Sequence, residues 1–359
     1  MKKFTLILLV FISLVGFSRD KITSEKLFEL RKQTGKRTEI SQVSSYGYAI
    51  LTEGDDFYLL DKNKDFKKTL ICSKTEGTSQ EQKGDRVRFS TNDRYLCINK
   101  TEAGKWILEI NDLANENGKK LLRSESGNVV NASIFDINNI IYQVRTKENE
   151  AKTYLVRNDG QPKFITDGLG GRWSPDGKWF LVEESQTNPD KSSGKKRKIL
   201  LSIFDSDGNK MIETSEFGSS NWIRWSPTSD KIVYTEFGSG GFYIIYLKEQ
   251  NGNLSIDHSY HFRPEQDENK YYFTIEPEFS PDGTKISFIR SIEDGHFTYN
   301  QNIWILEDGS YQYYQVSDFT STQINDVTWI SSNEMTVIKE DVSDRDKIEI
   351  YNVKLRRKQ

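Results

Sequence analysis

Histidine is the side chain best suited to acid–base chemistry and metal binding near neutral pH, and this sequence contains three of them. His258 and His261 are three residues apart, a spacing that would place both imidazoles on one face of a helix. They lie in a polar stretch, residues 257–277, that we interpret as a linker, and no carboxylate motif completes a site. We therefore interpret them, with His296, as solvated loop residues and expect no metal site and no cofactor.

Two acidic segments resemble calcium loops because oxygen-bearing side chains alternate along them. They are residues 61–65 and 205–209, and neither is followed by a glutamate at the offset that a calcium loop needs. Both occupy positions where a hairpin turn is expected. Asp176 and Asp282 also have a turn interpretation, because they hold the same place in a repeated motif. We therefore nominate no catalytic residue.

Aromatic residues outside the repeated motif are the candidates for binding. Tyr271, Tyr272 and Phe273 lie in the long polar stretch, and Tyr311 and Tyr313 flank a turn. Tyrosine suits interfaces because it combines a large apolar area with a polar tip. The alternative is packing, since alternation along a strand would bury about half of each group. We predict these five residues as binding residues, with packing as the competing interpretation.

The elements that must position such residues come from an internal repeat. Clear copies read Arg-Trp-Ser-Pro-Asp-Gly-Lys at 172–178, Arg-Trp-Ser-Pro-Thr-Ser-Asp-Lys at 224–231 and Glu-Phe-Ser-Pro-Asp-Gly-Thr-Lys at 278–285. Degenerate copies begin near residues 88, 134 and 329, at intervals of 39 to 54 residues, and an earlier copy is expected near residue 43. Ser-Pro-Asp-Gly is typical of a type I turn between two strands.

Each copy is followed by two apolar, β-rich runs, and most copies add an Asp-Gly or Asn-Gly hairpin signal and a fourth short run. Four short antiparallel strands per repeat predict an all-β propeller of about seven blades, with six as the alternative. The propeller is expected as one domain over residues 39–359. Residues 27–30 are either the strand that closes the ring or part of a short helix capped by Ser24.

The aromatic residue of the motif recurs at one repeat position, as Trp173, Trp225, Phe279 and Trp329. Recurrence at a repeat position is typical of packing, so we predict that all four side chains lie in the core.

The Trp/Phe-Ser-Pro-Asp-Gly-Lys corner resembles the repeat of TolB-like and WD40-like propellers. The resemblance is strongest at residues 173–178 and 279–285 and implies the propeller fold. TolB-like proteins carry an α/β domain ahead of the propeller, for which the stretch before the first repeat is too short. The related oligopeptidases carry a nucleophile elbow, and no Gly-x-Ser-x-Gly occurs here, so the resemblance brings no peptidase chemistry.

The first residues predict export. Lys2 and Lys3 precede an apolar run from Phe4 to Phe17, a pattern typical of a cleaved signal peptide over residues 1–18. The apolar run is short for a helix that must cross about 30 Å of hydrocarbon. We expect a periplasmic or secreted chain with no integral membrane segment after cleavage. Residues 19–38 then form the N-terminal segment before the propeller.

Composition restricts the partners. Loss of the two leader lysines changes the formal net charge from −3 to −5, and the charges of both signs are interspersed, so nucleic acid is not expected as a partner. Cys72 and Cys97 allow at most one disulfide, and the sequence leaves open whether they pair.

The sequence favours a non-enzymatic function. We expect a binding or scaffold propeller whose partner is a protein or a cell-envelope component. The alternative is a propeller enzyme or carbohydrate-binding protein with a site at the mouth of the central channel, built by residues from several distant repeats. Converging His, Asp or Arg side chains in the channel would favour that alternative, and an aromatic-rich exposed loop face would favour the scaffold.

Overall fold

A computed structural model of the chain describes its strands and most of their connections. The described residues are 21–32, 38–44, 46–73, 87–90, 92, 94–102, 105–115, 118–124, 128–145, 151–158, 160–186, 198–214, 220–236, 240–265, 271–293, 298–320, 322–344 and 346–356. The predicted signal peptide and His296 lie outside them. No helix in the described part is long and apolar enough to cross a membrane.

Almost every described element is a β-strand, and the strands pair antiparallel with their sequence neighbours. The first half of the chain contains β1 (Lys21–Arg31), β2 (Thr38–Val43), β3 (Tyr48–Glu53), β4 (Asp56–Asp61), a 3-10 turn (Lys62–Lys64), β5 (Lys67–Ser73), β6 (Val87–Phe89), β7 (Tyr95–Glu102), β8 (Lys105–Asp112), β9 (Lys119–Ser124), β10 (Asn128–Asp136), β11 (Asn139–Arg145), β12 (Ala151–Arg157) and β13 (Lys163–Trp173).

The second half continues the same pattern. It contains β14 (Trp179–Gln186), β15 (Lys198–Asp205), β16 (Lys210–Glu213), β17 (Ser220–Trp225), β18 (Lys231–Glu236), β19 (Phe242–Gln250), β20 (Asn253–Phe262), β21 (Tyr271–Phe279), β22 (Lys285–Glu293), β23 (Thr298–Glu307), β24 (Tyr313–Gln315), β25 (Thr322–Ser331), β26 (Glu334–Asp341) and β27 (Lys347–Arg356).

Hydrogen bonds join the described strands into five sheets, fewer than the expected number of blades. The reason is that two sheets each contain a pair of four-stranded units. One pair shares β13, which bonds to β12 through its first half and to β14 through its second. The other pair is joined by a single residue pair, Asn300 with Thr322. Divided there, the strands form units 1 to 7: β2–β5, β6–β9, β10–β13, β13–β16, β17–β20, β21–β24, and β25–β27 with β1.

The core lies between units. The described part of the chain contains seven clusters of buried apolar side chains, and each joins one unit to the next. One of them joins unit 7 to unit 1 through Ile338, Ile348 and Ile350 packed on Ile40 and Leu51. Burial of these apolar faces holds a closed ring, so the predicted all-β propeller with four-stranded antiparallel blades is confirmed.

The corner turns have the geometry that the motif predicts. In the copy at Ser174, the serine Oγ donates to Asp176 at 2.7 Å and accepts from the Trp179 amide at 3.1 Å. The copy at Ser280 repeats the contact to Asp282 at 2.6 Å. These bonds close the turn from the inner strand to the second strand, so both aspartates are turn residues, as predicted.

The recurring aromatic residues are buried, as predicted. Trp173, Trp225, Phe279 and Trp329 are each less than a tenth exposed. The two calcium-like segments are turns, also as predicted: Asp61 accepts from the amide of Asn63, and Asp205 accepts from the amides of Asp207 and Asn209.

The interpretation of residues 257–277 as a linker was wrong. The segment includes the second half of β20 and most of β21, and β20 is the exposed outer strand of unit 5. The polar sequence reflects this exposure rather than an absence of strand.

β1 supplies the outer strand of unit 7. It pairs antiparallel with β27 from Lys21 with Arg356 to Arg31 with Lys347. Leu27, Phe28 and Leu30 pack against the cluster that joins units 7 and 1. The helical alternative for residues 27–30 was therefore wrong.

No disulfide joins Cys72 to Cys97, both of which lie in the described part of the chain. Cys97 is buried, and burial raises the pKa of its thiol to about 11.

Candidate functional site in the central channel

One position in each unit places a polar residue beside the channel. The first strand of each unit is the inner strand of the propeller, and inner strands of neighbouring units contact one another, as β17 and β21 do. In every unit, a polar residue stands immediately before the position that Trp173 holds in the corner motif of unit 4. We call these seven residues the inner ring: Gln42, Arg88, Ser133, Arg172, Arg224, Glu278 and Thr328.

Two short members of the inner ring bridge neighbouring units. The Gln42 side-chain oxygen accepts a hydrogen bond from the Phe89 amide at 2.9 Å. The Ser133 hydroxyl accepts one from the Trp173 amide at 3.1 Å. Each bond runs from a unit to the inner strand of the next unit, so this position faces the junction of inner strands at the channel.

Two tryptophans of the corner motif fix the backbone of this ring. The Trp225 indole donates to the carbonyl of Arg172 at 3.1 Å, and the Trp329 indole donates to the carbonyl of Glu278 at 3.3 Å. In both cases the tryptophan of one unit holds the inner-ring residue of the preceding unit. The packing motif therefore also positions the charged side chains.

Arg172 is the centre of the charged part of the ring. Burial lowers the pKa of its guanidinium to about 9, and repulsion from Arg224 and Arg88 contributes while Glu183 and Glu278 act in the opposite sense. These residues belong to units 2, 4, 5 and 6. Because their charges shift the pKa of Arg172, they lie near Arg172 around the channel. Within the described part of the chain, Arg172 forms no side-chain hydrogen bond or ion pair.

Two carboxyl groups in the same region have raised pKa values. Burial raises the pKa of Glu183, on β14, to about 7 against the opposing charge of Arg172. Burial and then repulsion from Asp326 raise the pKa of Glu276 to about 7, while Arg224 opposes the shift. Both groups can therefore exchange protons near neutral pH.

Glu276 also has a strained backbone. Its φ is 54°, in the left-handed region that non-glycine residues seldom adopt. Gly170, which like Glu276 stands two residues before the inner-ring residue of its unit, has φ of 75°. Strain of this kind is concentrated at functional sites, because only a surrounding structure that demands it retains it.

The predicted binding residues do not form one site. Tyr271, Tyr272 and Phe273 begin β21, paired with the end of β22, and Phe273 is 40% exposed. Tyr311 and Tyr313 lie at the opposite end of unit 6, beside the turn from β23 to β24.

Tyr311 and Tyr313 contact side chains of unit 5. Tyr311 stacks on Tyr260 with ring centroids 3.8 Å apart. Tyr313 meets Phe262 edge-on at 5.3 Å, and its hydroxyl accepts from the Glu265 amide at 3.0 Å. These contacts give both tyrosines a packing role between units 5 and 6, and a binding role for either remains a proposal.

The interpretation of His258 and His261 as loop residues was wrong, because both lie on β20. They stack on Tyr246 and Tyr243 of β19, with ring centroids 4.2 and 3.9 Å apart. In the described part of the chain no group of three or more His, Cys, Asp or Glu side chains could hold a metal ion.

The inner ring was not predicted from the sequence, although four of its members stand in the repeated motif. Arg88, Arg172, Arg224 and Glu278 are the first letters of four copies of the motif. A charged residue beside a buried aromatic residue in an inner strand was the available signal. The turn explains Ser, Pro, Asp and Gly of the motif but gives no reason for arginine before tryptophan.

No family model matches the chain, and no curated protein matches it. Among solved structures, the β-propeller domain of Cps50 (Swd1) from Myceliophteria thermophila is 10% identical, with a TM-score of 0.55, over 90% of this chain and 99% of that one. An oligogalacturonate lyase from Vibrio parahaemolyticus is 12% identical, with a TM-score of 0.56, over 94% of this chain and 98% of that one. The tricorn protease is 12% identical, with a TM-score of 0.57, over 90% of this chain and 34% of that one.

The fold is a β-propeller. Similarities at this level of identity show the fold alone, because one fold serves many functions. The propeller implied by the resemblance is confirmed, and a function has to be argued from particular side chains rather than from the fold.

Proposed function

We propose that this propeller is an exported, non-enzymatic binding protein that holds a protein partner or a cell-envelope component at its central channel. The observation that carries the proposal is Arg172, a half-buried arginine of the inner ring with no side-chain partner among the described residues. Burial lowers the pKa of its guanidinium, and the charges of Arg224 and Arg88 add to that shift. An unpaired charge in such surroundings weakens the free protein. A ligand that pairs with it would recover that free energy on binding.

The channel supports this proposal better than the aromatic loop residues do. The inner ring brings charged groups from four units together, whereas the five predicted aromatic residues lie at two opposite ends of unit 6. A rigid ring of strands also holds a site more firmly than loops can.

The test is retention of a component from a detergent-solubilised envelope fraction by the immobilised chain. Arg224→Gln alters the channel, and Phe273→Ser alters an exposed aromatic residue at one end of unit 6. We expect Arg224→Gln to lose the component and Phe273→Ser to keep it. The reverse pattern would favour a scaffold that works through its loop face, and retention by both variants would exclude either site.

The proposed location of the chain, after export, is the periplasm or the outside of the cell. Its support is the leader-like sequence at residues 1–18. In a bacterial expression host, the full chain should appear in the periplasmic fraction as a shortened product. A chain that stays in the cytoplasm at full length would refute export.

The second candidate is an enzyme acting at the same channel. It is favoured by the pKa values of about 7 of Glu183 and Glu276, which suit proton transfer at neutral pH. Turnover of envelope polysaccharide by the wild-type chain, lost in Glu276→Gln, would support it. Stoichiometric retention without product release would support the binding function instead.

A further inference from the structure

The outer strands of units 1, 2 and 3 each present a large apolar side chain to solvent. Leu70 lies on β5, Leu121 on β9 and Phe164 in the first half of β13. Their exposed fractions are 54%, 47% and 50%. Single exposed apolar residues are ordinary on protein surfaces, so the meaning of these three depends on how they are related in position.

The strand registers place the three side chains at one position of the repeat. Each is paired with a third-strand residue, which is itself paired with the second-strand residue that follows the partner of the inner-ring residue. The series are Leu51, Tyr58 and Leu70 in unit 1, Ile98, Glu109 and Leu121 in unit 2, and Tyr142, Tyr154 and Phe164 in unit 3. Each second-strand residue belongs to the cluster shared with the preceding unit, and paired residues lie on one face of a sheet. We call Leu70, Leu121 and Phe164, which all lie on that face, the apolar wall.

The same position is polar in the other four units. It is Glu213 on β16, His261 on β20, Gln315 on β24 and Lys26 on β1. Recurrence of an apolar residue is explained by packing where the side chain is buried, but the apolar wall is not covered by any of the described residues. The exposed apolar residues at this position are thus confined to three successive units, on one side of the propeller.

Lysines accompany the apolar wall. β5 and β9 each begin with two lysines and contain no carboxylate, and β13 begins with Lys163. Glutamates of the same units pair with Lys68 and Lys119. Lys163 instead donates to the backbone carbonyl of Asp207 at 2.7 Å, an acceptor without net charge, so the positive charge of Lys163 is retained. A partner whose charge complements this surface is acidic.

The curvature of the ring favours a flexible partner over a flat one. Units 1 and 3 are two steps apart in a ring of seven units, so their outer strands point more than a quarter of a turn away from each other. A flat bilayer can lie against one of these strands at a time, whereas an extended polypeptide can follow all three. Packed sheets lie about 10 Å apart, and a chain of about 20 residues extends over about 65 Å, which is enough to cross three of them.

We propose that the apolar wall binds an extended, acidic segment of a partner protein. Apolar side chains of the segment pack on Leu70, Leu121 and Phe164, and its carboxylates lie beside the lysines of the same strands. The apolar contacts hold the segment, while the charges speed association and make it depend on salt. Each outer strand is three strands away from the inner strand of its unit, so this surface is separate from the inner ring and does not rest on the function proposed for the channel.

The test is fluorescence anisotropy with a labelled peptide of about 20 residues made of Glu-Leu-Ser repeats, long enough to cross the wall. One control peptide has lysine in place of every glutamate, and the other has serine in place of every leucine. We expect the purified chain to bind the first peptide and neither control. Its affinity should fall at least threefold between about 0.05 M and about 0.5 M salt.

Substitutions in the wall identify the surface. Leu121→Ser should lower the affinity about tenfold, because it removes one apolar contact, and the triple serine variant of the wall should lose measurable binding. Ile256→Ser is the matched control, since Ile256 is 40% exposed on the outer strand of unit 5, and it should bind as the wild type does. Lys67→Glu should lower the affinity about threefold at the lower salt concentration, whereas Lys248→Glu, which changes an exposed lysine of unit 5, should leave it unchanged.

All of these substitutions change exposed side chains, and equal melting temperatures show that the variants remain folded. The proposal is overturned if the wild-type chain does not bind the acidic apolar peptide, if the triple variant binds it as the wild type does, or if Ile256→Ser loses as much affinity as Leu121→Ser. Vesicles of phosphatidylcholine with phosphatidylglycerol are tested in parallel. Binding of the vesicles without binding of the peptide would make the partner a membrane surface and would also overturn the proposal.

Discussion

Replacing Arg172 with glutamine should make the unliganded protein more stable. The fall of its pKa to about 9 corresponds to about 5 kcal/mol against the charged native state, at about 1.4 kcal/mol per pKa unit. Arg172 keeps partial access to water, and glutamine loses part of the packing of the longer side chain. After both corrections we expect a gain of about 2 kcal/mol in the free energy of unfolding. The melting temperature should rise by roughly 2–4 °C.

The measurement is equilibrium unfolding in urea, with Arg94→Gln as the matched control. Arg94 is an arginine with a partner, since its Nε and a terminal nitrogen bond both oxygens of Asp112, at 3.0 and 2.7 Å. The same substitution there should lower the free energy of unfolding by about 1 kcal/mol. Opposite signs for the two variants would show that pairing, rather than arginine itself, decides the effect.

The reasoning would be refuted by an Arg172→Gln chain that is less stable than the wild type by about 1 kcal/mol or more. That result would mean that the guanidinium stabilises the free channel, and the case for a ligand-supplied partner would be lost. Urea titration in saturating ligand should remove the gain, because the wild-type chain then has its charge paired.

Deleting residues 21–31 should lower the free energy of unfolding by more than about 4 kcal/mol, because the deletion uncovers β27 and the cluster joining units 7 and 1. An unchanged urea midpoint would show that β1 does not hold the ring. Glu276→Gly should raise the free energy of unfolding by about 1 kcal/mol, because glycine adopts a φ of 54° without strain; a loss of stability would show that the side chain matters more than the backbone. The Glu183 carboxyl has a pKa of about 7 in the native state, above its ordinary 4.5, so its ionisation destabilises the native state. The free energy of unfolding of the wild-type chain should therefore fall as the pH rises from 4.5 to about 7. Unfolding of Glu183→Gln over the same window should show an advantage over the wild type that grows with pH, and a constant difference would contradict the raised pKa.

Local signals predicted most of the fold. The corner at Ser174 and the apolar strand after it depend on residues close in sequence, because turn chemistry and alternation act over a few positions. The number of separate sheets was not predictable in this way. The number depends on the length of β13, which pairs with β12 in unit 3 and with β14 in unit 4. β20 was missed because an outer strand exposed to water needs no apolar alternation.

The candidate site was not predictable from spacing. Arg88, Arg172 and Arg224 lie in three different repeats, and the ring alone brings them together. Glu183 comes from a second strand, where a polar residue is unremarkable until Gly170 is placed beside it. Repeat alignment could have found the ring arginines, but the approach of Glu183 to Gly170 required three-dimensional contacts.

The pairing of β1 with β27 also determines the order in which the molecule can be completed. The strands that pair, Lys21 with Arg356 at one end, lie at opposite ends of the described sequence. A chain that is made or translocated from its N-terminus can assemble units 1 to 6 from neighbouring segments while β1 has no partner. Unit 7 forms only after β27 has emerged, so the channel stays open along one side until the last strand is available.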